Sequence, residues 1–363
     1  MSKTRQKKQP KQESLQEAVA KFWPRATKFT ELMCNPPEFG FGSTEHEVAY
    51  QKEKMKLLHY SSDAKKRRDP PVLMVYAVIN KPYVLDLHPD RSVIKTFLRE
   101  GFDVYLIDWG IPHRFDKFIS TEDYIERYID CAVDWITENC DCSEVSLFGY
   151  CLGGTLAAIY AAVYPEKVRN LMIMAAPIDF DNRDELLHWW TNRKHFDAEK
   201  LTRAYGNIPD YLFMSTFKYL DPAQNLYLKY LSLFENVQNE KFVDMFFRME
   251  QWIHDGIPVT GAFYRDLIEK WYQKNQIVKN ELRVNGHKVN LKNINMPVVT
   301  ITGEHDHIAP TPSTTSMLDF VSSKDKRSIR CDCGHIGLSV GGRAHREVWP
   351  EVTSWLSERS NRH

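Results

Sequence analysis

One stretch limits what this chain can fold into more than any other: Val145-Ser146-Leu147-Phe148-Gly149-Tyr150-Cys151-Leu152-Gly153-Gly154-Thr155. The run Val145 to Phe148 is short and apolar, as a buried strand requires. The Ala-rich run from Leu156 to Ala162 reads as a buried helix, since Ala is the best helix former. Between them stands Gly-x-Cys-x-Gly, the pattern of a nucleophile elbow with cysteine where serine is usual. So sharp a strand-to-helix turn strains its central residue and requires small neighbours two positions before and two after. Gly149 and Gly153 meet that need. The turn lifts the Cys151 sulfur over the helix N-terminus, where the helix dipole favours a thiolate over a thiol of ordinary pKa, about 8.5.

The rest of the chain supplies the alternation that such an elbow needs. Val72 to Ile79 reads as a strand, and Ser92 to Arg99 as a helix with Val93, Ile94, Phe97 and Leu98 on one face. Val104 to Ile107 is the next strand, and Thr121 opens a helix whose stripe is Tyr124, Ile125, Tyr128, Ile129, Ala132, Val133 and Ile136. Val168 to Met174 follows the elbow helix as a further strand. Runs apolar on both faces fit a parallel sheet covered by helices. The rhythm stops at Pro177 and resumes only at Pro297. The intervening stretch reads as helical and aromatic, with Leu187, Trp189, Trp190, Tyr211, Phe213, Phe217, Tyr219, Phe242, Phe246, Phe247 and Trp252, and no strand. Inserted there, it would lie over the strand ends where the elbow opens. The expected architecture is thus an α/β-hydrolase fold, a mostly parallel central sheet with helices on both faces and an inserted helical lid. Its segments are 1–65 (basic tail and a helical stretch interrupted by Pro24, Pro36 and Pro37), 66–178 (first part of the core, with the charged linker Ser61 to Pro71 at its start), 179–295 (lid) and 296–363 (second part of the core).

A cysteine nucleophile needs a base, and the base an orienting acid. In this fold they follow in the order nucleophile, acid, base at the ends of late strands. Asp306 lies just past the strand Val298 to Thr302, and His335 lies in a Gly-His-Ile-Gly loop after the strand Arg327 to Cys331. The expected triad is Cys151-Asp306-His335. An oxyanion hole should combine the backbone N–H of Leu152 with one from the loop after the first strand, at Val78 or Ile79. His307 is placed to hydrogen-bond within the acid loop and support Asp306, while His305 reads as a solvated loop histidine. Cys331, Cys333, His305, His307 and His335 could in principle gather a metal, but Cys-x-Cys lacks the spacing of a structural zinc site. No metal is expected. Gly40-Phe41-Gly42 follows no strand and is weak as a phosphate loop, so no cofactor is expected either.

Composition excludes several other classes. Lys+Arg and Asp+Glu number 48 each, so no net field draws the chain to nucleic acid. The apolar run beside the elbow falls far short of the about 18 residues of a transmembrane helix. No apolar segment follows Met1-Ser2-Lys3 as in a secretory signal. Seven cysteines do not make a disulfide framework, and a cytoplasmic, reducing setting is expected. Lys3, Arg5, Lys7, Lys8 and Lys11 read as a solvated basic tail. A thiol nucleophile favours acyl transfer: an acyl group moved from one thioester to another keeps enough driving force to acylate an alcohol, provided the lid excludes water.

The box Gly149-Tyr150-Cys151-Leu152-Gly153-Gly154-Thr155 occurs with Val78-Ile79-Asn80-Lys81-Pro82-Tyr83-Val84-Leu85-Asp86-Leu87, Asp108-Trp109-Gly110, Asp306-His307-Ile308 and Gly334-His335. Together these motifs resemble a polyhydroxyalkanoate synthase, and the short chain resembles classes III and IV, whose catalytic subunit works with a smaller second one. The resemblance implies an acyltransferase that polymerises (R)-3-hydroxyacyl-coenzyme A, chiefly 3-hydroxybutyryl-coenzyme A, with release of coenzyme A. It implies that Cys151 carries the growing polyester chain, that His335 deprotonates the thiol, and that Asp306 either orients His335 or activates the substrate hydroxyl. It also implies an accessory subunit of the PhaE or PhaR type, a homodimer, and a place at the surface of cytoplasmic polymer granules. The alternatives are an acyl-coenzyme A thioesterase or intracellular depolymerase of the same fold, and a non-catalytic granule scaffold.

Overall fold

The computed structural model describes residues 15–40, 42–181 and 185–362. The basic tail from Lys3 to Lys11 lies outside them. Nine strands form one sheet: β1 (Glu47–Lys52), β2 (Met55–Tyr60), β3 (Arg68–Val75), β4 (Phe102–Asp108), β5 (Val145–Tyr150), β6 (Val168–Met174), β7 (Val298–Gly303), β8 (Lys326–Cys331) and the two-residue β9 (Asn361–Arg362). Their order is β1-β2-β4-β3-β5-β6-β7-β8, with β9 pairing on β3. The pairings from β4 through β8 are all parallel. Parallel neighbours need a long crossover. The helices Val93–Arg99, Asp130–Asn139 and Leu152–Val163 provide it, the first capped by Ser92, whose hydroxyl accepts from the Lys95 N–H at 3.0 Å. β5 and β7 bury every residue, as strands covered on both faces must.

Two expectations change at the N-terminal side. The sheet begins at Glu47, ahead of the linker at which the core was expected to start, because β1 and β2 form an antiparallel ribbon that joins β4. The ribbon reads poorly in sequence: β1 is an edge strand with no buried residue, and only Met55, Leu57 and Tyr60 of β2 are buried. Arg68 to Pro71, read as linker, opens β3, where proline at the start of a strand is tolerated. The second change concerns Pro24, which does not interrupt its helix; Leu15–Cys34 runs through it.

The chain divides into two compact units, residues 15–39 with Pro222–Gln251, and Gly40–Asp221 with 252–362. They cut across the segments expected from sequence. Residues 222–251 leave the inserted stretch for a unit built on the N-terminal helix. Its core is Leu233, Val243 and Phe247, packed by Phe29, Leu32, Phe39, Phe242 and Phe246. Phe29 and Leu32 belong to the helix that carries Pro24, and their burial offsets its lost backbone hydrogen bond. The Arg248 guanidinium lies 4.1 Å from the Phe39 ring centroid, and Lys229 pairs with Glu250 at 2.7 Å. The other parts of the insertion, including the helices Leu186–Trp190, Ala198–Tyr205, Asp210–Leu220 and Gly261–Arg265, stay with the sheet. A short hairpin, Arg283–Val284 with His287–Lys288, stands in the insertion that the sequence analysis read as free of strands.

The smaller unit depends on few large side chains, so Phe247→Ala should weaken it by about 3 kcal/mol or more. Hydrogen exchange should accelerate across 222–251 while amides of β5 and β7 keep their protection; equal acceleration in both would contradict the division into units.

Candidate active site

Strand β5 ends at Tyr150, and Cys151 stands alone between it and the helix Leu152–Val163, with φ 57° and ψ −132°. A positive φ is uncommon for any residue with a Cβ and costs about 1–3 kcal/mol. The surroundings hold it in place. The Cys151 N–H donates to Met174 O on β6 at 3.0 Å, and Cys151 O accepts from Gly154 N at 2.8 Å and Thr155 N at 3.2 Å. The flanking glycines are sterically required: a Cβ on Gly149 would lie 2.4 Å from Gly154 Cα, and one on Gly153 would lie 2.3 Å from Val75 O.

Asp306 and His335 come together at the ends of β7 and β8. His335 Nδ1 lies 2.7 Å from Asp306 Oδ2, and the Asp306 side chain is fully buried. Asp306 Oδ1 accepts from the backbone N–H groups of Ile308 and Ala309, both at 2.8 Å. The imidazole stacks on Tyr150 with centroids 5.2 Å apart, and the Tyr150 hydroxyl donates to His335 O at 3.1 Å. Burial alone would pull the His335 pKa down. The charges of Asp306 and Cys151, with side-chain hydrogen bonds to both, outweigh it and raise the pKa to about 10. His335 is thus hydrogen-bonded to Asp306 and electrostatically coupled to Cys151.

The oxyanion residues are placed less completely. Leu152 is the first residue of the elbow helix, so its N–H has no acceptor within the helix, and Leu152 lines the same cavity as Cys151. The turn after β3 passes against the elbow, its Tyr76 backbone beside Gly153. Val78 and Ile79 are buried in that turn, and Ile79 O accepts from Ile257 N at 3.3 Å, but neither lines the cavity. His307 does not support Asp306 as expected. Its side chain is exposed, and the backbone N–H groups of Ile308 and Ala309 hold the carboxylate instead. The short loop turns two amides inward and leaves the imidazole outside. His305 pairs with Asp332 at 2.8 Å on the exposed surface. Among the described residues, no group of three His, Cys, Asp or Glu is placed to hold a metal ion. Among them, too, no helix is long and apolar enough to cross a membrane.

Cys151 opens into a cavity of about 280 Å³ whose walls are mainly apolar, with Leu187, Phe196, Leu212, Phe213, Phe217 and Ile268 among them. Two threonine hydroxyls on its wall, of Thr191 and Thr216, donate to backbone carbonyls of their own helices. Tyr264 and Tyr272 also line it, and burial raises both phenols far enough to keep them protonated. Tyr150 and Tyr272 were not singled out from sequence. Tyr150 occupies the variable place inside the elbow motif, and Tyr272 lies in an aromatic-rich helix where spacing does not separate cavity wall from core.

Two family models match the chain: the alpha/beta hydrolase fold over residues 70–341, and the N-terminus of poly-beta-hydroxybutyrate polymerase (PhaC) over residues 38–97. The poly(3-hydroxyalkanoate) polymerase subunit PhaC of Haloferax mediterranei is 46% identical over 89% of this chain, which spans 66% of that relative's length. The subunit of the same name from Allochromatium vinosum is 36% identical over 91% of this chain and 93% of its own. Among solved structures, the monoacylglycerol lipase of Paleococcus ferrophilus matches with a TM-score of 0.54 at 16% identity, covering 84% of this chain and 99% of its own, a likeness of fold.

Because the Asp306 charge raises the His335 pKa, Asp306→Asn should lower it by more than one unit, read from the imidazole signals in an NMR titration. In the wild type the charged imidazole contributes stability fully below about pH 6.5, the unfolded value. That contribution is lost as pH rises through about 10. Denaturant midpoints across this window should slope downward in the wild type and flatten in Asp306→Asn.

Proposed function

The chain belongs to the poly(3-hydroxyalkanoate) polymerase family, acyltransferases on the α/β-hydrolase fold, and we propose that it polymerises (R)-3-hydroxyacyl-coenzyme A, chiefly 3-hydroxybutyryl-coenzyme A, through a thioester on Cys151. The observation that carries this reading is the hydrogen bond of Asp306 to His335, an imidazole electrostatically coupled to Cys151, which lines an apolar cavity. His335 takes the proton of the Cys151 thiol, and the thiolate attacks the thioester carbonyl of the substrate. The oxyanion is held by the Leu152 N–H and by an N–H of the turn at Val78 and Ile79. Collapse breaks the bond to coenzyme A, whose sulfur leaves with the proton from His335, and the acyl group remains on Cys151. A 3-hydroxyl then attacks this thioester, losing its proton to His335 as the ester bond forms and the sulfur is released. Asp306 keeps Nδ1 engaged so that the other ring nitrogen faces the sulfur, or assists deprotonation of the 3-hydroxyl. The inserted segments around the cavity act as the lid that keeps water from the acyl-enzyme.

The wider setting follows the same reading: a smaller accessory subunit, a homodimer and the surface of cytoplasmic polymer granules. Exposed Trp189, Tyr211 and Tyr219 in one unit, and Trp23, Leu226 and Tyr227 in the other, supply apolar surface for such contacts.

Purified protein, alone and with candidate small subunits, should release coenzyme A from (R)-3-hydroxybutyryl-coenzyme A and turn turbid as polymer forms. Cys151→Ala should lower that release by about 10⁴-fold or more. Free hydroxy acid without polymer would replace this reading with that of a thioesterase or depolymerase. Granule binding and polymer levels unaltered in cells carrying Cys151→Ala would point to a scaffold.

A further inference from the structure

A second concavity, of about 580 Å³, lies in the sheet-bearing unit apart from Cys151. Its walls carry four cations, Arg114, Lys117, Arg203 and Arg265, and no carboxylate. Arg203 pairs with Glu199 along its own helix at 2.6 Å. Arg114, Lys117 and Arg265 have no carboxylate partner among the described residues. Phe115 and Phe118, 76% and 74% exposed, stand beside them, and Tyr205 is half-exposed. Rings this open are not packing a core. Arg114 lies 4.7 Å from the Phe115 centroid and Lys117 5.1 Å from that of Phe118, so the cations and rings form one surface.

The cleft and the reaction chamber share their walls. On the helix Ala198–Tyr205, Leu201 faces the chamber while Thr202, Arg203 and Tyr205 face the cleft. On Gly261–Arg265, Tyr264 faces the chamber and Arg265 the cleft. One helix, about 10–12 Å across with its side chains, therefore separates the two spaces. The pantetheine arm of coenzyme A is comparable to four or five extended residues, about 15 Å, long enough to pass such a wall. The nucleotide end of coenzyme A carries a pyrophosphate, a 3′-phosphate and a purine. Unpaired Arg and Lys side chains suit the phosphates, and an exposed ring suits the purine face.

We propose that this cleft binds the phosphorylated nucleotide end of the coenzyme A thioester while its acyl end lies at Cys151. The assignment rests on the acyl-coenzyme A reading above. A neutral polyester or lipid surface would also welcome exposed Phe115 and Phe118, but it gives no role to three cations of the concavity without a carboxylate partner among the described residues, Arg114, Lys117 and Arg265.

The test compares (R)-3-hydroxybutyryl-coenzyme A with the same acyl group on pantetheine, which lacks the nucleotide. In Arg265→Ala, the ratio of kcat/KM for the coenzyme A thioester to that for the pantetheine thioester should fall about tenfold, and in Arg114→Ala/Arg265→Ala about 100-fold. Adenosine 3′,5′-bisphosphate should compete with the coenzyme A thioester in the wild type and about tenfold more weakly in Arg265→Ala. A ratio unchanged within twofold in the double variant overturns the assignment. If that variant instead loses attachment to polymer particles, the cleft is a surface-docking site and the proposal is likewise overturned. Wild-type protein that releases thiol from neither thioester would sink the acyl-transfer reading itself, whereas turnover of both with an unchanged ratio removes only the nucleotide site.

Discussion

The approach of the elbow helix to the end of β3 is the constraint on which the site depends. At Gly153 the two backbones are so close that one added carbon would lie 2.3 Å from Val75 O, and at Gly149 the helix closes on the strand that feeds it. No side chain can be accommodated at either point without moving main chain, so the turn has one shape and Cys151 one position. The strain of its positive φ is offset by the three backbone hydrogen bonds of Cys151 and by a helix buried from Leu152 through Ala162. A third close approach fixes the other half of the site. A Cβ on Gly303, the last residue of β7, would lie 2.6 Å from Cys333 O, and His305 N donates to the same carbonyl at 3.1 Å. The acid loop and the base loop are thereby joined before their side chains meet.

With the backbones so placed, electrostatics does the rest. A fully buried carboxylate such as Asp306 would ordinarily be costly. Here it accepts from two amides and from an imidazole, which satisfies both oxygens. Its charge then raises the His335 pKa against the effect of burial, which makes the imidazole a stronger proton acceptor. The stacked Tyr150 ring limits how the imidazole can turn, so the proton is kept on a fixed line between carboxylate and sulfur.

Much of this was legible in the chain because the relevant signals are local. Gly-x-Cys-x-Gly predicts a strand, a turn and a helix at once, and β6 matches its expected residues from end to end. Asp306 and His335 meet because each follows a strand of the parallel half of the sheet, and strand ends in parallel sheets share one edge. The misses have physical causes. The β1–β2 ribbon buries few residues, so its alternation is faint. Pro24 suggests a break that distant packing by Phe29 and Leu32 overrides. His307 has the right chemistry at the right place in sequence, but the direction of a side chain in the loop between Gly303 and Thr311 depends on which amides turn inward. Of the lid aromatics, Phe213 and Phe217 line the cavity, Phe242, Phe246 and Phe247 fill the small unit's core, and Trp189 and Tyr219 are exposed. Helical spacing alone cannot sort these three fates.

The fold by itself does not choose between hydrolysis and transfer, since related architectures serve both. In the proposed reaction the choice rests on two features acting together. A thiol conserves the free energy of a thioester substrate, which a serine ester would lose at the first step. That advantage survives only if the acyl-enzyme meets a substrate hydroxyl before water. The walls around Cys151 are apolar, their threonine hydroxyls are committed to backbone carbonyls, and their phenols stay neutral. A water molecule entering there leaves most of its hydrogen bonds behind, whereas a hydroxyl attached to an acyl chain is carried in by the burial of its own carbon atoms. On the proposed reading, the same cover that makes the site hard to read from sequence favours ester formation over hydrolysis.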